Sequence, residues 1–217
     1  MLANLRDEGF GYNKNLTLPV SSRKQISSQL HPSRPAKILR RLCPLKGSGM
    51  TEPKASRPYW PDALQNPSDD TTGLKPWQWA LERLEKSHNY WIATSRPEGQ
   101  PHLMLVWGVW WQDAFWFSTG PRTRKAKNMA AEPHCVIGTE KADEAVILEG
   151  LAEEIKDRTI WKEIVKVYNR KYGGDVGPLL ESSGGCVFRV RPRIAFGQDE
   201  HAENFSEAMT RWHFSQK

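Results

Sequence analysis

The stretch AFWFSTGPRTRKAKNMAA, residues 114–131, decides how the rest of the chain is read. It opens as an apolar strand through Phe115, Trp116 and Phe117 and reaches two hydroxyls, Ser118 and Thr119. Gly120-Pro121 turns the chain, and the pattern beyond it predicts a helix over 122–131. Arg122, Arg124 and Lys125 then stand in or beside the first helical turn. The unpaired N–H groups and the dipole of a helix N-terminus favour anions there, so three cations sit at the wrong end. A bound anion, most often a phosphate, removes the conflict. Thr123 and the hydroxyls before the turn would add hydrogen bonds. The competing reading is a solvated basic turn.

At 217 residues the chain has room for one domain with a sizeable core, plus a tail. The net charge of +6 invites a nucleic-acid role, so its location matters. Residues 1–49 carry nine Lys and Arg against two Asp and Glu, whereas residues 50–217 carry 22 against 23. The folded part is close to neutral, so a nucleic-acid partner is not expected of it. Cys43, Cys135 and Cys186 are widely spaced, which argues against a disulfide framework or a zinc site and fits a reducing cytoplasm. No apolar run approaches the roughly 18 residues that span a bilayer, and no signal core opens the chain. GxGxxG, Walker A, Ser-His-Asp and metal-ligand patterns are all missing from the sequence.

The organisation expected is an irregular leader, 1–73, and a folded domain, 74–217. Residues 1–49 are polar, basic and interrupted by prolines, and are read as disordered. Met50 is taken as the true start, with 1–49 an over-extended reading frame, in preference to a functional basic tail or a transit peptide. Within 51–74, Tyr59 and Trp60 are expected to dock on the domain. From Pro76 a helix carries the stripe Trp77, Ala80, Leu81 and Leu84. Strands are expected at 90–95, 102–111, 114–119, 135–139, 145–155 and 186–196, and helices at 122–131 and 158–172. The second strand is apolar at nearly every position and is therefore expected to be covered on both faces. Antiparallel strands joined by tight turns, with helices at the ends, suggest a small barrel.

The order of these elements, and the residues on them, resemble the pyridoxamine 5'-phosphate oxidase-like family of flavin-binding split barrels. The segments that carry the resemblance are YWIATSRPEGQPHLMLVWGVWW (90–111), FWFSTGPRTRKAKNMAAEPHCVI (115–137), AVILEGLAEEI (145–155), VFRVRPRIAFG (187–197) and TRWHF (210–214). What the resemblance implies is a mainly β fold with flanking helices, a six-stranded antiparallel split β-barrel of the FMN-binding type. It implies a homodimer with FMN or coenzyme F420 at the interface, and an oxidoreductase passing a hydride to or from a small organic substrate. By the same resemblance, His102, Leu103, Met104 and Leu105 would run along the ring of the cofactor. Phe117, Ser118 and Thr119 would approach its ribityl chain and phosphate, and Arg122, Thr123, Arg124 and Lys125 would hold that phosphate. Two alternatives stay open: a non-catalytic flavin- or haem-binding protein of the same fold, and a true pyridoxamine 5'-phosphate oxidase. Arg211-Trp212-His213 matches the Arg-x-His spacing of such oxidases, but the chain lacks their usual C-terminal extension.

Other residues carry weaker expectations. Most of the ten tryptophans are read as core, although Trp107, Trp110 and Trp116 would suit a flat pocket for a planar ligand. His102 is either a satisfied structural histidine or a group that hydrogen-bonds the cofactor. Glu149, within an apolar strand, is expected to pair with Arg189 or Arg191. Trp212 is a candidate for the dimer interface or for a lid over the cofactor.

Overall fold

In the computed structural model, which describes residues 52–58, 71–178, 184–203 and 209–215, the alternating apolar runs become strands of one antiparallel sheet. The chain order is β1 (Lys54–Ser56), α1 (Trp77–Lys86), β2 (Tyr90–Ser95), β3 (Pro101–Val106), β4 (Gly108–Trp111), β5 (Ala114–Thr119), α2 (Arg124–Ala131), β6 (His134–Thr139), β7 (Val146–Ile155), α3 (Arg158–Tyr172), β8 (Cys186–Gly197) and β9 (Thr210–His213). What was expected of residues 1–51, and of Tyr59 and Trp60, lies outside the described residues.

Local chemistry sets the boundaries. Pro76 caps α1, whose Trp77, Ala80 and Leu84 fall on one buried face. Gln112 and Asp113 both take positive φ, the requirement of a two-residue hairpin turn between β4 and β5. The Asp157 carboxylate accepts a hydrogen bond from the Thr159 N–H at the start of α3, and Gly173, at φ 70°, ends that helix.

The long strand β8 is the spine. Its first half lies between β5 and β7 and its second half between β7 and β9. The sheet therefore forks: one branch runs from β7 through β6 and β2 to β3, the other from β5 to β4. Only Trp107 separates β3 from β4 in the chain, yet the two do not pair, and the barrel is split there. The expected single strand over 102–111 is thus two strands on opposite sides of a gap. The expectation that both its faces are covered also fails, because Leu103, Met104 and Leu105 are exposed. The short β1 and β9, which pair with each other, bring the sheet to nine strands among the described residues, where six were expected. Aromatic packing holds this end: Trp212 is fully buried, edge-on to Trp77 at 5.3 Å and stacked with Trp79 at 6.5 Å.

α3 fills the gap. Tyr168 Oη donates to the Trp107 carbonyl at 2.9 Å, and Tyr172 Oη accepts from the Gly108 N–H at 2.8 Å. Lys171 Nζ donates to the Gly108 carbonyl at 3.1 Å and to the Tyr90 hydroxyl. Side chains of a helix thus satisfy backbone groups that a neighbouring strand would otherwise satisfy. Among the described residues no carboxylate lies within ion-pair distance of Lys171, and burial pushes its pKa down to about 8. Gly108 is also constrained sterically, since a Cβ there would lie 2.1 Å from Cζ of the fully buried Phe115.

Gly108→Ala is therefore expected to destabilise the fold by about 1–3 kcal/mol, measured by urea denaturation, through overpacking against a ring that cannot move away. Lys171 gives a pH signature. Below about pH 8 it is charged in both states and its burial counts against the fold. From pH 8 towards pH 10 the unfolded lysine, titrating near 10.5, holds more protons, so Lys171 contributes a rise in stability with pH. Cys135, whose thiol is pushed up to about 12 by burial, opposes it from about pH 9. Above pH 10, ionisation of tyrosines in the unfolded chain opposes this, because burial raises the pKa of Tyr172 to about 12. Lys171→Met should flatten the rise between pH 8 and 10; an unchanged slope would contradict the assignment.

Candidate functional site

The turn after β5 is built around Thr123. Its hydroxyl donates to the Gly120 carbonyl at 2.8 Å and accepts from the Ala126 N–H at 3.4 Å, and it lies 3.1 Å from the Thr119 hydroxyl. Thr123 is the N-cap, so the helix begins at Arg124, and Arg122 stands just outside it. With Ala126 capped and Lys127 bonded to the Thr123 carbonyl, the N–H groups of Arg124 and Lys125 have no partner within the helix. Among the described residues no carboxylate pairs with Arg122, Arg124, Lys125 or Lys127, and no acidic side chain occupies the first turn. Lys125 is half-buried, and burial lowers its pKa. Two free amides and three unpaired cations stand at one helix start, while the Thr119 hydroxyl is spent on the Thr123 oxygen. An anionic group, a phosphate above all, fits that donor set.

α2 fixes the position of this turn relative to β3. The helix lies against β2 and β3, and Asn128 Nδ2 donates to the Thr94 hydroxyl at 3.0 Å. Thr94 faces the core side of β2, and β3 pairs His102 with Thr94 and Met104 with Ile92. His102 and Met104 therefore share the face that α2 covers, whereas Leu103 and Leu105 point to the opposite face of the sheet. β3 ends its branch among the described strands, so its outer edge of N–H and C=O groups stands open beside the basic turn. α2 therefore sets both the basic turn and the open edge of β3.

Not every expected residue lies near the turn and the β3 edge. Ser118 and Thr119 are half-buried at the end of β5, but Phe117 is fully buried and stacks on Phe188 at 5.5 Å, so its ring belongs to the core. Trp212 is equally buried beneath the aromatic cluster, which rules out its use as a lid or an interface residue. Trp116 is buried, Trp110 packs against the core, and only Trp107 is exposed, stacked on Tyr172 at 4.7 Å. Glu149 does not pair with Arg189 or Arg191. Those guanidiniums meet Glu153, at 2.6 and 3.4 Å, because Glu153 lies opposite Arg189 in the ladder, whereas Glu149 faces Ile194. Arg211 reaches the Ser56 hydroxyl through Nε at 3.3 Å, a contact with the unexpected strand β1. Asn128 and Lys171 were not singled out from the sequence, and Tyr168 was read only as part of the apolar side of α3. The isolated polar residue Asn128, among small and apolar neighbours on a helix face, was the available signal for the first.

Comparison with known proteins bears on this geometry. The family model for pyridoxamine 5'-phosphate oxidase matches residues 78–195, more than half of the chain. The chain belongs to the pyridoxamine 5'-phosphate oxidase family. None of the curated proteins matches it. Among solved structures, a conserved hypothetical protein from Mycobacterium tuberculosis is 22% identical, with a TM-score of 0.52 over 58% of this chain and 86% of that one. Campylobacter jejuni ChuZ is 10% identical, with a TM-score of 0.53 over 59% of this chain and 56% of its own. A structure described as an F420 reductase is 24% identical over 52% of this chain and 93% of its own, with a TM-score of 0.45. The first two share the fold with this chain, which is the split barrel of the family. Among the described residues, no helix is long and apolar enough to cross a membrane, and no cluster of His, Cys, Asp and Glu could hold a metal ion.

The cap itself is testable without any ligand. Thr123→Ala should cost about 1 kcal/mol in chemical denaturation, whereas Thr123→Ser, which keeps the hydroxyl, should cost much less. Equal losses would mean that the methyl group and not the cap matters.

Proposed function

We propose that the protein is a flavin- or deazaflavin-dependent oxidoreductase that works as a homodimer. The observation that carries this reading is the unpaired Arg124 and Lys125 at a capped helix start, set beside the open edge of β3. The cofactor, FMN or coenzyme F420, would supply hydride transfer to or from a small organic molecule when bound. The chain's own contribution is positional. Arg124, Lys125 and their backbone N–H groups grip the phosphate, with Arg122 adding charge. Thr123 aims those amides, and Thr119 holds Thr123 through its hydroxyl. Met104 and the backbone of β3 lie along the ring, and His102, half-buried on the same face, offers a hydrogen bond to its edge.

The far face of the sheet supports the homodimer. Leu105, Trp91, Gly138, Ile147 and Phe196 form one row across five strands, and Leu103, Ala93 and Val136 form the next. Trp91, Leu103, Leu105, Val136 and Ile147 are all exposed on it. The apolar part of this face, with Glu149, Arg211 and His213 at its β7–β9 end, would be covered best by a second copy of this chain across a twofold axis.

Three outcomes test the reading. Residues 50–217, purified from a host that makes both cofactors, should show the absorption of a bound flavin or deazaflavin, and NAD(P)H or substrate should bleach it; a stable colour that no reductant or substrate changes would mean binding without turnover. Arg124→Ala with Lys125→Ala should weaken FMN or F420 binding by about a hundredfold, the loss of two charge-assisted hydrogen bonds, with the fold retained. Unchanged affinity would remove the phosphate assignment. Trp91→Glu with Ile147→Glu should convert a dimer to monomers in sedimentation velocity, by placing carboxylates in the apolar contact; a dimer that persists would move the interface elsewhere.

A further inference from the structure

The two branches of the sheet meet at a seam that no strand ladder closes, since β3 and β4 do not pair. The bonds across it come from side chains of α3, and most of them from its last turn. Tyr172 Oη accepts from the Gly108 N–H at 2.8 Å and lies 2.9 Å from the carbonyls of both Gly108 and His88. Lys171 Nζ reaches the Gly108 carbonyl at 3.1 Å, the Leu84 carbonyl at 3.5 Å and the Tyr90 hydroxyl. Two adjacent side chains thus tie α1, β2 and β4 to the end of one helix.

That end is the part of α3 least able to hold itself. The helix stops at Gly173, and residues 173–175 are exposed. Terminal helical turns open at lower free energy than the core they rest on. One turn earlier Tyr168 is buried, and its hydroxyl lies within hydrogen-bonding distance of the Trp107 and Trp116 carbonyls. The last turn can therefore lift while Tyr168 keeps the rest of α3 in place. Beneath it Tyr90 stays packed edge-on against Phe115 at 4.7 Å.

The oxygens around Lys171 suit two N–H donors better than three. Tyr90 donates to the Leu84 carbonyl, so its own oxygen is left to accept from Lys171. With the Gly108 carbonyl that makes two good partners. The third, the Leu84 carbonyl, is already taken by Tyr90 and lies at the limit of a hydrogen bond. A neutral amine has two N–H groups, and an ammonium has a third N–H and a charge to satisfy. Glu85 on α1 and Glu140 beyond β6 face the amine from outside ion-pair distance, and both are exposed. The other titratable groups around it are Tyr90 on β2, Tyr168 and Tyr172 on α3, and the exposed His88, whose ring meets that of Tyr172 at 5.2 Å.

We propose that Lys171 is a proton-operated latch: the last turn of α3 stays on the seam while the amine is neutral and lifts from it more readily when the amine is charged. Burial holds the seated amine at a pKa of about 8, whereas a lysine released into water titrates near 10.5. Between those values the lifted turn binds more protons than the seated one, so raising the pH closes the latch. The device is independent of any cofactor.

Amide hydrogen exchange on the full chain with isotope-labelled glycines tests it, because Gly108 lies on the seam and Gly138 lies in the β6 ladder. The exchange rate of Gly108, divided by the intrinsic rate at each pH, gives its opening constant. That constant should fall about tenfold from pH 7 to pH 9. Low concentrations of urea should leave it nearly unchanged while they speed exchange at Gly138. Lys171→Met should abolish the pH dependence. Tyr172→Phe, which removes the hydroxyl bonded to Gly108, should raise the opening constant at both pH values and keep the tenfold fall. An opening constant that ignores pH, or a fall that persists in Lys171→Met or disappears in Tyr172→Phe, overturns the proposal. So does exchange at Gly108 that follows urea as Gly138 does, because the seam would then open only when the whole sheet unfolds.

Discussion

The bonds from Tyr168, Lys171 and Tyr172 to the backbone at Trp107 and Gly108 are the constraint on which the rest depends. A closed barrel would pair β3 with β4 and leave no edge. Here the chain crosses between the two branches in a single residue, and α3 satisfies the exposed polar groups at the crossing. That arrangement keeps β3 terminal in its branch, with one face towards α2 and the other towards solvent. Its cost is visible in Lys171, a half-buried cation held by carbonyl and hydroxyl oxygens alone. The gap is maintained by side chains that must be desolvated to do it.

Electrostatics at α2 tells a parallel story. A helix start normally carries acidic side chains, and this one carries Arg124 and Lys125 with Thr123 as a neutral cap. The arrangement is unfavourable for the isolated helix, yet it is held rigidly: Thr123 is bonded on two sides, and Asn128 ties the helix to Thr94. Rigid presentation of poorly compensated positive charge is what an anion site requires, because the ligand then need not order the site on binding. The edge of β3 and the turn are positioned by the same helix, so the proposed ring contacts and phosphate grip would be geometrically coupled.

Much of this was legible in the sequence where local rules are strong. β2, β5 and α3 have the expected bounds, because Gly99, the Gln112-Asp113 turn and Gly173 mark their ends unambiguously. The resemblance supplied the family and the split-barrel fold. What failed depended on which neighbours a segment meets. An uninterrupted apolar run at 102–111 reads as one buried strand, whereas half of it is exposed apolar surface of the kind that a partner copy would cover. Phe117 and Trp212 were named for ligand contact, but packing placed both in the core. Glu149 was expected to pair with Arg189 or Arg191, but the antiparallel register sets Glu149 opposite Ile194 and Glu153 opposite Arg189, so Glu153 took that role. Registers and bulges arise from tertiary pairing, and no single stretch encodes them.

The central claim is that the helix start at Arg124 holds the phosphate of a redox cofactor. The most direct measurement is a crystal structure of the protein loaded with FMN or coenzyme F420. The account predicts phosphate oxygens within hydrogen-bonding distance of the Arg124 and Lys125 N–H groups, with the ring lying along β3. A phosphate lodged elsewhere would contradict it.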